Sequence, residues 1–175
     1  MLVKRLVDNS VAIYRGTKGE EAMYRVYRPC STAYYEGLKH QEKLVKIVLK
    51  NGAVAHFRGE KDEERLFKME RADKKSIKFF KGSKNEERLF KRHICQDAIV
   101  VKIIYYHGRK RCEYKIAEKT DGKLTYFEGN KGFEKPIIDF TPATYVAVED
   151  DVVQFVELHE SSPKLRKVSE AVVEI

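Results

Sequence analysis

At 175 residues the chain is long enough to bury a core, but 42% hydrophobic and 35% charged residues with no tryptophan suit a thin, extended sheet better than a thick globule. The net charge of +8 is unevenly spread: residues 1–138 carry 32 basic and 19 acidic side chains (+13), and residues 139–175 carry 3 and 8 (−5). No run approaches the roughly 18 apolar residues of a membrane-spanning helix, and Cys30, Cys95 and Cys112 are too scattered for a disulfide framework, which points to a reducing compartment.

Residues 1–7 are short, mixed and charged, so no leader is expected. Leu2, Val3, Leu6 and Val7 around Lys4 and Arg5 read as the return strand of an absent hairpin, a cap strand over residues 1–8. From residue 9 to residue 143 one unit repeats six times. Aligned on Gly16, Gly37, Gly59, Gly82, Gly108 and Gly129, the copies are 21, 22, 23, 26 and 21 residues apart, within the range of repeat architectures.

Four positions are fixed in every copy. Two residues before the glycine stands an aromatic: Tyr14, Tyr35, Phe57, Phe80, Tyr106 and Phe127. Two after it comes a lysine: Lys18, Lys39, Lys61, Lys84, Lys110 and Lys131. Five after it comes a glutamate: Glu21, Glu42, Glu64, Glu87, Glu113 and Glu134. Eight after it the residue is apolar: Tyr24, Val45, Phe67, Phe90, Ile116 and Ile137.

β-branched and aromatic segments flank a polar Gly-x-Lys-x-x-Glu tract, so each unit reads as strand, loop, strand. Polar turns such as residues 71–75 and 118–122 join the units. The expectation is an all-β antiparallel meander of about 12 strands, built from about six β-hairpin repeats of 21–26 residues with half-repeat caps at both ends. The aromatic and the apolar residue ten positions on are expected to meet across each hairpin as a continuous core row, with a stacking platform for bases or sugars as the alternative. The loop lysines and glutamates of neighbouring hairpins, about 9.6 Å apart, are expected to form a Lys-to-Glu ladder along one edge. A ligand-binding comb of lysines is the less favoured alternative, because the paired glutamates would neutralise it.

Residues 144–175 read as a degenerate acidic C-terminal cap: Phe155 and Leu165 keep the ten-residue spacing, while Glu157 replaces the glycine and Ser162 the glutamate. Residues 168–175 alternate as a strand would. One repeat domain over residues 1–175 is the organisation this implies.

Chemical motifs are sparse. His40, His56, His93, His107 and His159 share no ligand spacing with each other or with cysteine, so no metal or other cofactor is expected. No phosphate-cradling glycine motif and no nucleophile elbow occurs. His107 and Cys112 flank the loop of the most divergent unit, where a grafted thiol nucleophile would sit, but tolerated loop variation is the favoured account of them. Ser162-Pro163-Lys164 reads as a turn that also fits a proline-directed phosphorylation pattern.

The densest basic stretch, residues 74–92, sets Lys74, Lys75, Lys78, Lys81, Lys84, Arg88, Lys91 and Arg92 against two glutamates. These eight are the candidate contacts for nucleic acid or another polyanion. The competing reading is a solvated face whose lysines guard strand edges.

The tracts Tyr34-Tyr35-Glu36-Gly37 and Tyr126-Phe127-Glu128-Gly129 resemble the aromatic-Glu-Gly opening of MORN repeats, hairpin units of similar length that build elongated sheets. The resemblance covers roughly residues 9 to 140, and degenerate hairpin arrays of this kind are also similar to repeat proteins of protists and of the large DNA viruses that infect them. It implies a virion or virus-factory location. Composition and motifs together give three expectations. The protein is a non-enzymatic structural or protein-interaction module, with sequence-independent nucleic-acid binding as the alternative. It self-associates, as a dimer, through open sheet edges. It resides inside the cell, in cytoplasm or nucleus, or in a virion.

Overall fold

The β-branched and aromatic segments on either side of each Gly-x-Lys-x-x-Glu tract are extended strands, and the polar tracts between them are turns. The computed structural model describes residues 1–137 and, beyond them, residues 148–149, 152–153, 156–157 and 166–167. The strands are β1 (Leu2–Arg5), β2 (Val11–Arg15), β3 (Ala22–Arg28), β4 (Ser31–Glu36), β5 (Lys43–Leu49), β6 (Val54–Arg58), β7 (Arg65–Glu70), β8 (Ser76–Lys81), β9 (Arg88–Gln96), β10 (Ile99–His107), β11 (Tyr114–Thr120), β12 (Lys123–Glu128) and β13 (Lys135–Pro136). These thirteen form one antiparallel sheet in which every strand pairs with its neighbours in sequence. The fold is therefore the expected all-β meander, with no helix among the described residues. β2–β3, β4–β5, β6–β7, β8–β9, β10–β11 and β12–β13 are the six repeat hairpins, and β1 pairs with β2 ahead of them.

Each hairpin loop is built the same way. In the third unit the amide of Glu63 donates to the carbonyl of Glu60 (3.0 Å), closing a tight turn, and Asp62 within it takes a left-handed φ of 66°. The residue three after the glycine is left-handed in all six units: Gly19, His40, Asp62, Asn85, Arg111 and Gly132. Gly59 itself has φ 130°, and a Cβ there would lie 2.5 Å from the Glu63 carbonyl oxygen, so conformation and space both require glycine.

The register corrects the expected aromatic-to-apolar pairing. Tyr14 lies opposite Met23, Tyr35 opposite Leu44, Phe57 opposite Leu66, Phe80 opposite Leu89 and Tyr106 opposite Lys115, the residue nine on and not ten. The next rung back is Ile13 with Arg25, Tyr34 with Lys46, His56 with Lys68, Phe79 with Lys91, and Tyr105 with Ala117. Tyr24, Val45, Phe67, Phe90 and Ile116 are thus skipped: the fixed apolar position is a β-bulge, repeated in five successive hairpins. A bulge adds one residue to one strand only, which the even spacing of fixed residues conceals.

Cross-strand partners share a face, so the register also sorts side chains between the two faces of the sheet. Face one carries the row Ala12, Val26, Ala33, Ile47, Ala55, Met69, Lys78, Arg92, Ile104, Glu118 and Thr125. Face two carries Ile13, Arg25, Tyr34, Lys46, His56, Lys68, Phe79, Lys91, Tyr105, Ala117 and Tyr126. A buried cluster lies on face one of the first hairpins, where Ala12, Val26 and Ala33 are covered by Leu6, Tyr14, Met23, Tyr35, Leu44 and Ile47, whereas the cross-strand pair Tyr105 and Ala117, also buried, lies on face two of the fifth. The expected aromatic core row is corrected here too. Tyr14, Tyr35, Phe57, Phe80, Tyr106 and Phe127 are only half-buried: what is sealed beside the first three is the alanine two residues before each ring, Ala12, Ala33 and Ala55, and beside the last three stand Lys78, Ile104 and Thr125, none of them buried.

The chain divides into two compact units, Met1–Pro136 and Ile137–Ile175. In the second, β14 (Val148–Glu149) pairs with β15 (Val152–Val153), and β16 (Val156–Glu157) pairs with β17 (Arg166–Lys167). Phe155, Ser162 and Leu165 of the expected seventh unit, and the expected strand over residues 168–175, lie outside the described residues.

Candidate interaction surface

The loop edge of the sheet is where the fixed lysines and glutamates act. Each bulge leaves a backbone N–H that the strand ladder does not use, and the glutamate of the next unit accepts from it. Met23 N–H donates to Glu42 (3.0 Å), Leu44 to Glu64 (3.0 Å), Leu66 to Glu87 (3.2 Å), Leu89 to Glu113 (3.0 Å) and Lys115 to Glu134 (3.1 Å). The lysine of each unit donates back to the left-handed residue of the preceding loop. Lys39 reaches the Gly19 carbonyl (2.5 Å), Lys61 that of His40 (2.8 Å), Lys84 that of Asp62, Lys110 that of Asn85 (2.5 Å) and Lys131 that of Arg111 (2.7 Å).

This double clasp corrects the expected Lys-to-Glu ladder: both side chains serve backbone groups, and the one lysine–glutamate contact of that kind among the described residues is Lys110 to Glu87 at 3.7 Å. Unmet backbone donors and acceptors are the stronger demand, since each costs more to leave unpaired than a screened surface ion pair returns. The electrostatics agree. Burial in the joint opposes the charged form of Glu42, Glu64, Glu87 and Glu113, yet donation from the bulge amide and from their own loops, with a nearby lysine, holds all four carboxyls below the usual glutamate range. Arg65 and Arg88 add a forward contact, to the carbonyls of Gly82 (3.0 Å) and Gly108 (2.8 Å).

Face two interleaves cations with rings. Arg15 sits 3.6 Å over the ring of bulged Tyr24, Arg25 lies 4.6 Å and Lys46 4.5 Å from the ring of Tyr34, and Arg25 donates to the hydroxyls of Tyr27 (2.8 Å) and Tyr24 (3.3 Å). These hydroxyl acceptors, Tyr27 first, stabilise the Arg25 guanidinium and raise its pKa further. The pattern continues along the sheet with Arg58 over Phe67 (5.5 Å), Lys81 over Phe90 (5.4 Å) and Lys91 over Phe79 (5.3 Å).

The eight basic residues of the 74–92 stretch are placed apart. Lys74 and Lys75 lie exposed in the β7–β8 turn. Lys78 and Arg92 pair across strands on face one, where Arg92 donates to Ser76 Oγ (2.9 Å). Lys81 pairs with Arg88 on face two, beside Lys91, and Lys84 is taken up by the loop clasp. Side chains alternate between faces along a strand, so a run dense in sequence is divided in space. Sequence reasoning passed over Arg15, Arg25, Tyr27 and Lys46, and read Tyr24 as a fixed apolar position and Tyr34 as part of the aromatic-Glu-Gly tract. The available signal was a basic residue nine after the glycine in the first four units (Arg25, Lys46, Lys68, Lys91), with a ring three before the glycine from the second unit on.

Among the described residues no group of His, Cys, Asp and Glu is arranged to hold a metal, and no helix is long and apolar enough to cross a membrane. The His107 ring packs edge-on to Tyr114 (5.8 Å). No protein-family model matches the chain, and no curated protein is similar to it in sequence.

Proposed function

We propose that the chain is a non-enzymatic structural and protein-interaction module: a one-layer repeat platform whose loop edge holds the hairpins together and whose faces are left for partners. The observation that carries this reading is the double clasp, made at five successive joints by the same lysine and glutamate positions. Residues fixed by the repeat are thereby consumed in holding neighbour to neighbour, the energetic arrangement of a repeat array. The aromatic-Glu-Gly tracts and hairpin array support a MORN-like assignment, and a placement inside the cell or in a virion rests on that resemblance and on three free cysteines.

Self-association as a dimer belongs to the same reading. Among the described residues nothing pairs with the outer side of β1, and an open strand edge is a template for another chain. Sedimentation equilibrium of the full chain over a concentration series should show a monomer–dimer equilibrium. A monomer persisting at tens of micromolar, at low and high salt alike, would overturn it.

A further inference from the structure

Strands β2 to β5 present on face two a cluster that the clasp does not use. It consists of Arg15, Tyr24, Arg25, Tyr27, Tyr34 and Lys46. Three cations and three tyrosines lie together, and among the described residues none of the three cations is ion-paired. Their contacts are rings and phenol hydroxyls. Arg25 Nε is buried with no hydrogen-bond partner, which leaves a charged donor short of an acceptor. One carboxylate lies on this face of these strands, Glu36, and it sits directly across from Lys43. Arg15 and Tyr27 are both exposed, Tyr27 by 40%, so a guanidinium seated over one ring and the ring of a second tyrosine face solvent. Beside them opens a cleft of about 410 Å³ between the first two loops, lined in part by Arg15, Tyr24, Glu20, Glu36, Leu38 and Lys39.

Two features have to be met by an occupant: three cations that make no ion pair among the described residues, and flat π-surfaces. An acidic protein meets the first alone. Duplex nucleic acid also meets the first alone, because its base faces are stacked inside. Single-stranded nucleic acid meets both, with phosphates for the cations and unpaired bases to stack on rings and guanidinium planes. We propose that face two of β2–β5 binds single-stranded nucleic acid without sequence preference. The platform is that of the scaffold reading, but the claim concerns one face and does not depend on the oligomeric state.

The test is fluorescence anisotropy of the full chain with a labelled oligothymidylate, the matching duplex and polyglutamate as probes, at about 50 and 200 mM salt. The single strand should bind at least about tenfold tighter than the duplex, since base stacking contributes on the order of 1–3 kcal/mol per base, and polyglutamate should not compete. Arg15→Lys keeps the charge and removes the stacking plane, so it should weaken binding several-fold at an unchanged salt slope. Lys46→Gln should flatten the slope by about 0.7, the single-strand increment per phosphate. Lys78→Gln, on face one, should leave both affinity and slope unchanged, and circular dichroism would verify that every variant keeps its strands. Equal binding of duplex and single strand, an equal loss in the Lys78 variant, or no binding at the lower salt would each overturn the proposal.

Discussion

On face one the same register carries two different contents. From β2 to β7 its central row is Ala12, Val26, Ala33, Ile47, Ala55 and Met69, all apolar, of which Ala12, Val26, Ala33 and Ala55 are buried. From β8 to β12 the same row reads Lys78, Arg92, Ile104, Glu118 and Thr125. Hydrogen bonds and ion pairs replace apolar packing there: Arg92 donates to Ser76, Glu118 is held by Lys102 (2.7 Å) and Lys115 (3.5 Å), and Lys115 lies 3.4 Å over the Phe127 ring. Meanwhile the bulge and clasp pass from one half to the other unchanged. The meander is thus specified at its edge, by glycine, lysine and glutamate, and its faces are free to differ.

The largest test of that contrast places one kind of side chain at one register position in each half. Ala33 is wholly buried between Val26 and Ile47, so Ala33→Lys forces an unpaired charge into a sealed apolar site and should cost about 3 kcal/mol or more. Its counterpart four residues before the glycine in the fourth unit is already a lysine, half-buried, and Lys78→Ala should stay within about 1 kcal/mol. Urea denaturation of both variants measures the difference. A cost below about 1 kcal/mol for Ala33→Lys would mean that the first half is no better sealed than the second.

The edge should respond alike in both halves. Gly59→Ala must hold a Cβ at φ 130° and push back the Glu63 carbonyl, which lies 2.5 Å away, and Gly108→Ala meets the Cys112 carbonyl at 2.6 Å with φ 116°. Each should cost about 2 kcal/mol, from backbone strain of roughly 1–2 kcal/mol and the displaced loop. Closely matched losses would support an edge common to all units. A loss confined to one of the two would limit it to that half.

The hairpin count, the strand order and the loop positions were legible because glycine, aromatic, lysine and glutamate recur at fixed offsets, and those offsets describe a single chain segment. What lay between segments was not. The bulge at Tyr24, Val45, Phe67, Phe90 and Ile116 shifts pairing by one residue, and no property of an apolar side chain announces that it will be skipped. The targets of the lysine and glutamate are backbone groups of another unit, invisible to a reading that pairs charges with charges. Density of basic residues in sequence pointed to residues 74–92, whereas the cluster of Arg15, Arg25 and Lys46 with three tyrosines is assembled from β2, β3, β4 and β5 by the strand register.

The smallest expected effect separates the clasp from the faces through pH. Glu64 accepts from Leu44 N–H at 3.0 Å, and although burial in the joint opposes its charge, that bond, its own loop amides and Lys84 keep its carboxyl below the ordinary range. A carboxyl whose pKa is lower folded than unfolded stabilises the fold above the ordinary glutamate pKa of about 4.3, and the contribution is lost as pH falls through the lower folded value. Glu42, Glu87 and Glu113 are shifted in the same direction, so their losses fall in the same acid window. Thermal melts between about pH 7 and pH 3 should therefore show a steep fall below the ordinary glutamate range. Glu64→Gln keeps an amide oxygen as acceptor and removes the titration: it should cost about 1 kcal/mol at neutral pH, and its disadvantage against the parent chain should shrink as the pH is lowered through the same window. A disadvantage that stays constant down to about pH 3 would show that the carboxylate charge at this joint adds nothing to the fold.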